Sequence, residues 1–526
     1  MQELLRNSFL KITGIGRLSI RTRDRLLFLL RNGILLMAAA VSGTFIARKI
    51  AAVPDRKEVV VFLFAVLTVP ILKFPAFGLA VLCVLPLFLS WIRRLFYLVS
   101  DRVSNDPLLL LPDIIAALLM FALIDKLRKG ERLKSPESGL QWLILFFIGY
   151  QLLRVFVLNS GTVLALQAFK FDVFFITVFF FAIYFVKSFD QVVAVLRLTA
   201  VLALLLALYG IKQVFIGYTS FEELWLDQMR TEFVTMFIAG TPRPFSMLAS
   251  PATFADFMLI GMIAALAAGS LRNRGGSFFY YLFIPVMGLA LLLTSVRSNW
   301  VGALAAAFMW FLIAHRTSFK KKVVSIVVVM LIGLPLSYAA EEMGGTSILD
   351  KASGKIGRQI GGGERSVTDL FVKERVTAIT NPFEEHSMQA RITMWLFVLS
   401  RSIQLPQGPI GWGPGSFNAH NYYLTVLYET GYIGTILLLI ILFRIFRAGY
   451  RLYLEEEHPD KRVVVRAIIA TLSAICVLNT TGPHTSSHPA DIYFWGGAGL
   501  LLIIHRLPYR NENGFKLKSG RLTDPT

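Results

Sequence analysis

Apolar runs of about 18 residues recur from one end of this chain to the other, and nothing else constrains its fold as strongly. Each run is long enough to cross ~30 Å of hydrocarbon as a helix. In lipid, backbone polar groups are satisfied only in helices or closed barrels. These runs are continuously apolar and do not alternate, which predicts helices. Of the 526 residues, 55% are hydrophobic and 16% charged, too little charge to cover a soluble protein of this size. The expectation is an all-α, polytopic transmembrane bundle of 12–14 spans, one domain over residues 1–505 followed by a basic tail, 506–526.

The candidate spans are 27–47, 58–72, 76–92, 108–124, 140–158, 171–186, 191–215, 252–270, 277–295, 299–314, 323–340, 421–443, 463–480 and 489–505. Pro70 and Pro75 separate the second and third, which could form one broken hairpin. The basic stretch Arg6 to Arg25 is long for a cleaved leader, so the first run is expected to be a retained helix. Cys83 and Cys476 lie inside apolar runs and are expected to be small buried hydrophobes, not a disulfide framework or a zinc site.

The net charge is +20, but no basic domain stands apart from the spans, which argues against nucleic acid as a partner. The cations sit in short loops, where they set membrane orientation. Lys126, Arg128, Lys129, Arg132, Lys134, Arg272, Arg274, Arg316, Lys320 to Lys322, Arg444, Arg447, Arg451, Arg506, Arg510, Lys516 and Lys518 fall on one side with the N-terminus, the expected cytoplasmic side. Arg48, Lys49, Arg93 and Arg94 fall on the other side and conflict with the rule. Two external segments are long, about 216–251 and, between the eleventh and twelfth spans, about 341–420. The second predicts an amphipathic helix over Ser366 to Ile379. It also predicts a helix over Ser387 to Ile403 at the membrane surface, capped by Ser387 and ending before Pro406. A Gly/Pro loop, Gln407 to Phe417, follows. There is no internal repeat.

Four polar features converge on the external face in this topology. Arg297 lies in a turn of a few residues, Thr294 to Trp300, where a charge beside lipid needs a partner or a purpose, or serves as a snorkelling anchor. Arg391 falls in the first turn of its predicted helix, where the positive helix end and a guanidinium would together suit a phosphate. Arg243 lies between Pro242 and Pro244 in a stiff turn. His420, followed by Asn421, Tyr422 and Tyr423 at a helix start, could accept a proton from a hydroxyl. For each, a structural role competes. His484 and His488 are a weaker pair of candidate metal ligands in a proline-rich turn. Asp113, Asp172 and Asp256 are the carboxylates a proton-coupled transporter would want.

The stretch His420-Asn421-Tyr422-Tyr423-Leu424, continuing through Leu427, Glu429, Gly431 and Gly434, resembles the His-Asn signature of the O-antigen ligase and O-antigen polymerase superfamily. Arg391 to Trp395 and the loop of Gly408, Gly411, Gly413 and Gly415 look like the segment that precedes it. Thr294 to Trp300, Arg243 to Phe254 and Asp491 to Leu500 resemble the family's Ser-Arg turn, its Arg-containing loop and its closing span. The likeness covers about 240–505. Two features depart from it: a pre-signature loop long for a lipopolysaccharide ligase, and Pro251-Ala252 where a Pro-Asn pair is usual.

The resemblance implies a glycosyltransferase of a bacterial inner membrane with its active site facing the periplasm. It would move a glycan from undecaprenyl pyrophosphate to a hydroxyl of lipid A–core, of a second lipid-linked glycan or of a protein, without cofactor or metal. Arg297, Arg391 and Arg243 would bind the pyrophosphate. His420 would deprotonate the acceptor for one inverting attack. Asn421, Tyr422 and Glu429 would support, by orienting His420 or packing its helix. The rival class is a secondary transporter or flippase for lipid-linked glycans, which predicts inverted repeats and spans broken near the midplane.

Overall fold

The computed structural model describes residues 56–96, 106–130, 138–157, 162–229, 236–238, 241–271, 278–313, 386–405, 407–510 and 516–517. They belong to two units. One, residues 1–63 and 99–108, is described only at its edges; the other, 64–98 and 109–526, carries every site residue that follows. The regular structure of the described residues is helical apart from two antiparallel ribbons of two-residue strands, β1 (Phe237–Ile238) with β2 (Thr241–Pro242) and β3 (Tyr509–Arg510) with β4 (Lys516–Leu517).

Among the described residues, seven helices are long and apolar enough to cross a membrane: Pro75–Leu95, Pro107–Arg128, Gly139–Phe156, Ala165–Phe185, Phe189–Phe215, Pro251–Ser270 and Tyr422–Glu455. The expected spans at 27–47 and 323–340, the helix over Ser366 to Ile379 and most of the loop 341–420 lie outside the described residues. In chain order the helices are α1 (Arg56–Lys73), α2 (Pro75–Leu95), α3 (Leu111–Arg128), α4 (Ser138–Val157), α5 (Thr162–Asp172), α6 (Val178–Phe185), α7 (Phe189–Phe215) and α8 (Ser220–Met229). Then come α9 (Pro251–Ser270), α10 (Phe279–Leu293), α11 (Arg297–Ile313), α12 (His386–Ser402), α13 (Gln407–Ile410), α14 (Tyr422–Glu455), α15 (Pro459–Leu478) and α16 (Ala490–Ile503). Pro75, Pro251 and Pro459 open their helices, where a missing N–H costs nothing. The buried α9 packs on α7, α10 and α15.

Three expected elements are built differently. The run 171–186 falls within the candidate span Ala165–Phe185, but that span is not one uniform helix: α5 ends at Asp172, and a 3-10 turn, Phe174–Thr177, leads into α6. The helix expected over 421–443 runs on to Glu455 and is broken at Gly431, whose φ is +65°. A side chain at Gly431 would overlap the Pro409 carbonyl, so glycine lets the 407–411 turn press into the break. The freed Tyr428 and Glu429 carbonyls accept the Trp412 and Gly413 N–H groups at 2.9 and 3.1 Å. The loop expected from Gln407 therefore begins with the helical turn α13.

The helices alternate between two ends of the bundle. At the basic end, Lys126 donates to the Tyr184 carbonyl and Lys461 to that of His505. At the opposite end lie the starts of α9, α11 and α14. Arg94, one of the cations that conflict with the expected orientation, lies there. Arg94 is buried, donates to the Ser246 and Leu248 carbonyls, stands 3.8 Å from Glu222, and stacks on Trp225 and Phe245. It is an internal fastener of the 243–248 loop, not a loop charge read by the lipid. Cys83 and Cys476 are free and half-buried.

Candidate functional site

His420 sits at the start of α14 and is held by its neighbours on both sides. The Ala419 carbonyl accepts Trp395 Nε1 at 3.0 Å, and the Ala419 N–H donates to Thr425 Oγ1 at 3.1 Å. The His420 N–H donates to Asn418 Oδ1 at 2.9 Å. Asn421 Oδ1 then caps α14, accepting from the N–H groups of Tyr423 and Leu424. This clamp fixes His420 in the left-handed region, φ +50°, with its side chain exposed. Asn421 therefore does not orient the imidazole by a side-chain bond; it fixes the backbone next door. Tyr422 is buried, and its N–H donates to the Asn479 carbonyl at 2.8 Å.

Glu429 does not reach His420 either. It is buried two turns into α14, where Oε1 accepts the Gly415 N–H at 2.8 Å and closes the glycine loop on the helix. A small core of Val398, Ala419 and Tyr428, with Trp395, Trp412 and Phe417 around it, joins α12 to the same place.

Arg391 lies on α12, half-buried, one turn before Trp395. The helix begins at His386, so Arg391 belongs to the second turn rather than the first, and Ser387 lies inside the helix rather than at its cap. The guanidinium makes no hydrogen bond or ion pair among the described residues. Its charge acts on His420: partial desolvation first, then Arg391, hold that imidazole below its ordinary pKa, so it is neutral and basic at pH 7.

Of the other two arginines, Arg243 is joined to the turn that carries Arg297. Arg243 Nε donates to the Thr294 carbonyl at 2.8 Å, and its N–H to the Met236 carbonyl at 2.9 Å. Thr294 opens the turn that delivers Arg297, half-buried, as the first residue of α11. Two more left-handed residues shape these loops, Ser246 at φ +53° and Ser295 at φ +55°. Thus all three non-glycine residues with positive φ among the described residues stand within three positions of an expected site residue, or are one.

Asp256, His484 and His488 show what the sequence reading missed. His484 and His488 are not a pair of metal ligands facing one ion: each binds its own carboxylate. His484 Nδ1 lies 2.8 Å from Asp256 Oδ2, and His488 Nδ1 lies 2.7 Å from Asp491 Oδ2. Asn299 Nδ2 donates to Asp256 at 2.6 Å, tying α11 to α9. Asp113 pairs with Lys170 at 2.7 Å. Among the described residues no group of three or more His, Cys, Asp or Glu could hold a metal ion. Buried ionisable residues at a membrane-facing bundle's end were the available signal. Comparison with protein-family models and with characterised proteins returned no match to this chain.

Proposed function

We propose that this chain is a membrane glycan transferase of the O-antigen ligase and polymerase kind, using an undecaprenyl-pyrophosphate-linked glycan as donor at the outer face of a bacterial inner membrane. The observation that carries the reading is His420: an exposed imidazole, without a hydrogen-bond partner among the described residues, clamped at a helix start, with the Arg391 charge acting on it. The acceptor hydroxyl loses its proton to His420 as its oxygen bonds to the anomeric carbon. The carbon–oxygen bond to the pyrophosphate breaks, and the pyrophosphate leaves with the bonding pair, its charge met by Arg391, Arg297 and Arg243. Lipid A–core, a second lipid-linked glycan and a protein hydroxyl all suit this chemistry as acceptors.

The test is transfer by purified protein from a labelled undecaprenyl-pyrophosphate oligosaccharide, with chelator present and each acceptor offered separately. Labelled lipid A–core identifies a ligase; elongated lipid-linked glycan identifies a polymerase. Movement of the donor across a vesicle bilayer with no new covalent product overturns the reading in favour of a transporter or flippase, for which Asp113, Asp172 and Asp256 would be the coupling groups.

A further inference from the structure

His484 has no part in the transfer proposed above, and its surroundings hold it by more than packing. It lies on a 3-10 turn, His484–Ser486, between α15 and α16, and is 8% exposed. Nδ1 faces both oxygens of Asp256, at 2.8 and 3.0 Å. Asp256 is 1% exposed, and Asn299 donates to its Oδ1. Elements far apart in sequence thus converge to fix one imidazole ring. A carboxylate on Nδ1 holds the proton there and leaves the opposite nitrogen, Nε2, on the far side of the ring from Asp256.

That opposite nitrogen, Nε2, has no hydrogen-bond partner among the described residues. It lies over Gly482, where a Cβ would stand 3.2 Å from it. The turn also reaches the His420 loop through two bonds: Asn479 accepts the Tyr422 N–H on its carbonyl and binds Thr485 with its side chain at 3.1 Å. The charged groups that act on His484 are Asp256 from α9 and Arg391 from α12. Burial is the largest single influence and disfavours the charged ring; the charge and hydrogen bond of Asp256 outweigh burial and Arg391, and the ring titrates above its ordinary value.

We infer that His484, clamped by Asp256, which Asn299 holds in turn, is a phosphate-binding group that presents Nε2–H to the pyrophosphate beside Arg391. The identity of the anion rests on the glycan-transfer reading. The division of labour is chemical. His420 has no carboxylate among the described residues and is suited to take a proton; His484 has one and is suited to keep its proton and donate a charge-assisted hydrogen bond. Asp256 acts through His484 and is a positioning residue.

The experiment is calorimetric titration of the full-length protein in lipid nanodiscs with inorganic pyrophosphate, from mildly acid to mildly alkaline pH. Wild-type affinity should fall as pH rises through the His484 titration, because the neutral ring would point a lone pair at the anion. His484→Gln should bind about ten-fold more weakly on the acid side and lose that component of the pH dependence. Asp256→Asn should move the midpoint to lower pH, a shift that a merely structural role would not produce. The ligand's own ionisation is common to the three proteins and cancels between them. Unchanged affinity and pH profile in His484→Gln, or an unmoved midpoint in Asp256→Asn, overturns the inference; if one variant does not fold, the other decides. Glycan transfer by the same preparations separates the two readings. Transfer without the His484 signature removes only this inference, and the signature without transfer removes the transferase while keeping an anion site.

Discussion

The two ends of the bundle use their cations in opposite ways. At the basic end, Lys129 and Arg451 pair with carboxylates of their own helices, and four other cations go to backbone carbonyls where helices finish. Lys126 binds the Tyr184 carbonyl at 2.7 Å, Lys461 that of His505 at 2.9 Å, Arg462 that of Glu456 at 2.9 Å, and Arg466 that of Trp310. These are the carbonyls a helix cannot satisfy internally, and a cation there also complements the helix dipole. At the His420 end, only some cations do such work. Arg94 and Arg243 hold loops by their carbonyls, while Arg391 and the His420 ring have no hydrogen-bond partner among the described residues. That end also holds every non-glycine left-handed residue described, each costing on the order of 1–2 kcal/mol that the surrounding bonds must offset. Unbonded polar groups on a strained backbone distinguish a site from a scaffold.

The sharpest way to break this comparison is at His420. His420→Ala removes an exposed side chain with no hydrogen-bond partner among the described residues, so the thermal unfolding midpoint should stay unchanged. Transfer should fall roughly 10²–10⁴-fold, the range for a general base. In wild type, kcat/KM should rise as pH rises through the lowered His420 pKa and level off above it, since only the neutral ring accepts a proton. A His420→Ala protein that transfers at the wild-type rate would take the base away from this residue.

The sequence made the helices legible because apolar length is a one-dimensional signal. It could not show where they break. The run 171–186 reads as continuous, yet it contains a 3-10 turn, since Val173, Phe175 and Ile176 are as apolar in a turn as in a helix. Gly431 was visible as a glycine, but only the 407–411 turn pressing on it makes it a break. His420 and its cap Asn421 were legible because the chemistry and the cap are adjacent in sequence. The Asp256–His484 pair was not, because its partners are 228 positions apart. Nor do Ser246 and Ser295 announce a positive φ, as a glycine would; their loops impose it through bonds such as Ser246 Oγ to the Leu206 carbonyl.

Arg94 tests whether a cation at the site end can be scaffold all the same. Arg94→Met keeps the length but leaves Glu222 buried without its nearby cation, and the Ser246 and Leu248 carbonyls without a donor. Breaking a buried pair from one side costs about 3–5 kcal/mol. The unfolding midpoint in detergent should drop sharply, and transfer should fall only as folded protein is lost. Glu222 retains bonds from Gln213, Thr219 and Tyr209, so the double variant Arg94→Met with Glu222→Gln should recover part of the loss. A stable Arg94→Met protein with impaired transfer would move Arg94 from scaffold to site.

The smallest effect is expected at the basic end, and its smallness is informative. Lys461 donates to one carbonyl, that of His505, where α16 has given way to a short 3-10 turn. Lys461→Met keeps the aliphatic stem and removes one charge-assisted bond, worth roughly 1.5–3 kcal/mol at most and less where water can replace the donor. A fall of a few degrees in the unfolding midpoint with unchanged transfer per folded molecule is the expected outcome, measured on the same preparations as the His420 variant. The two substitutions should therefore separate cleanly, one altering rate without stability and the other stability without rate. Loss of transfer in Lys461→Met at full stability would mean that the basic end takes part in the chemistry, and the contrast between the two ends would fail.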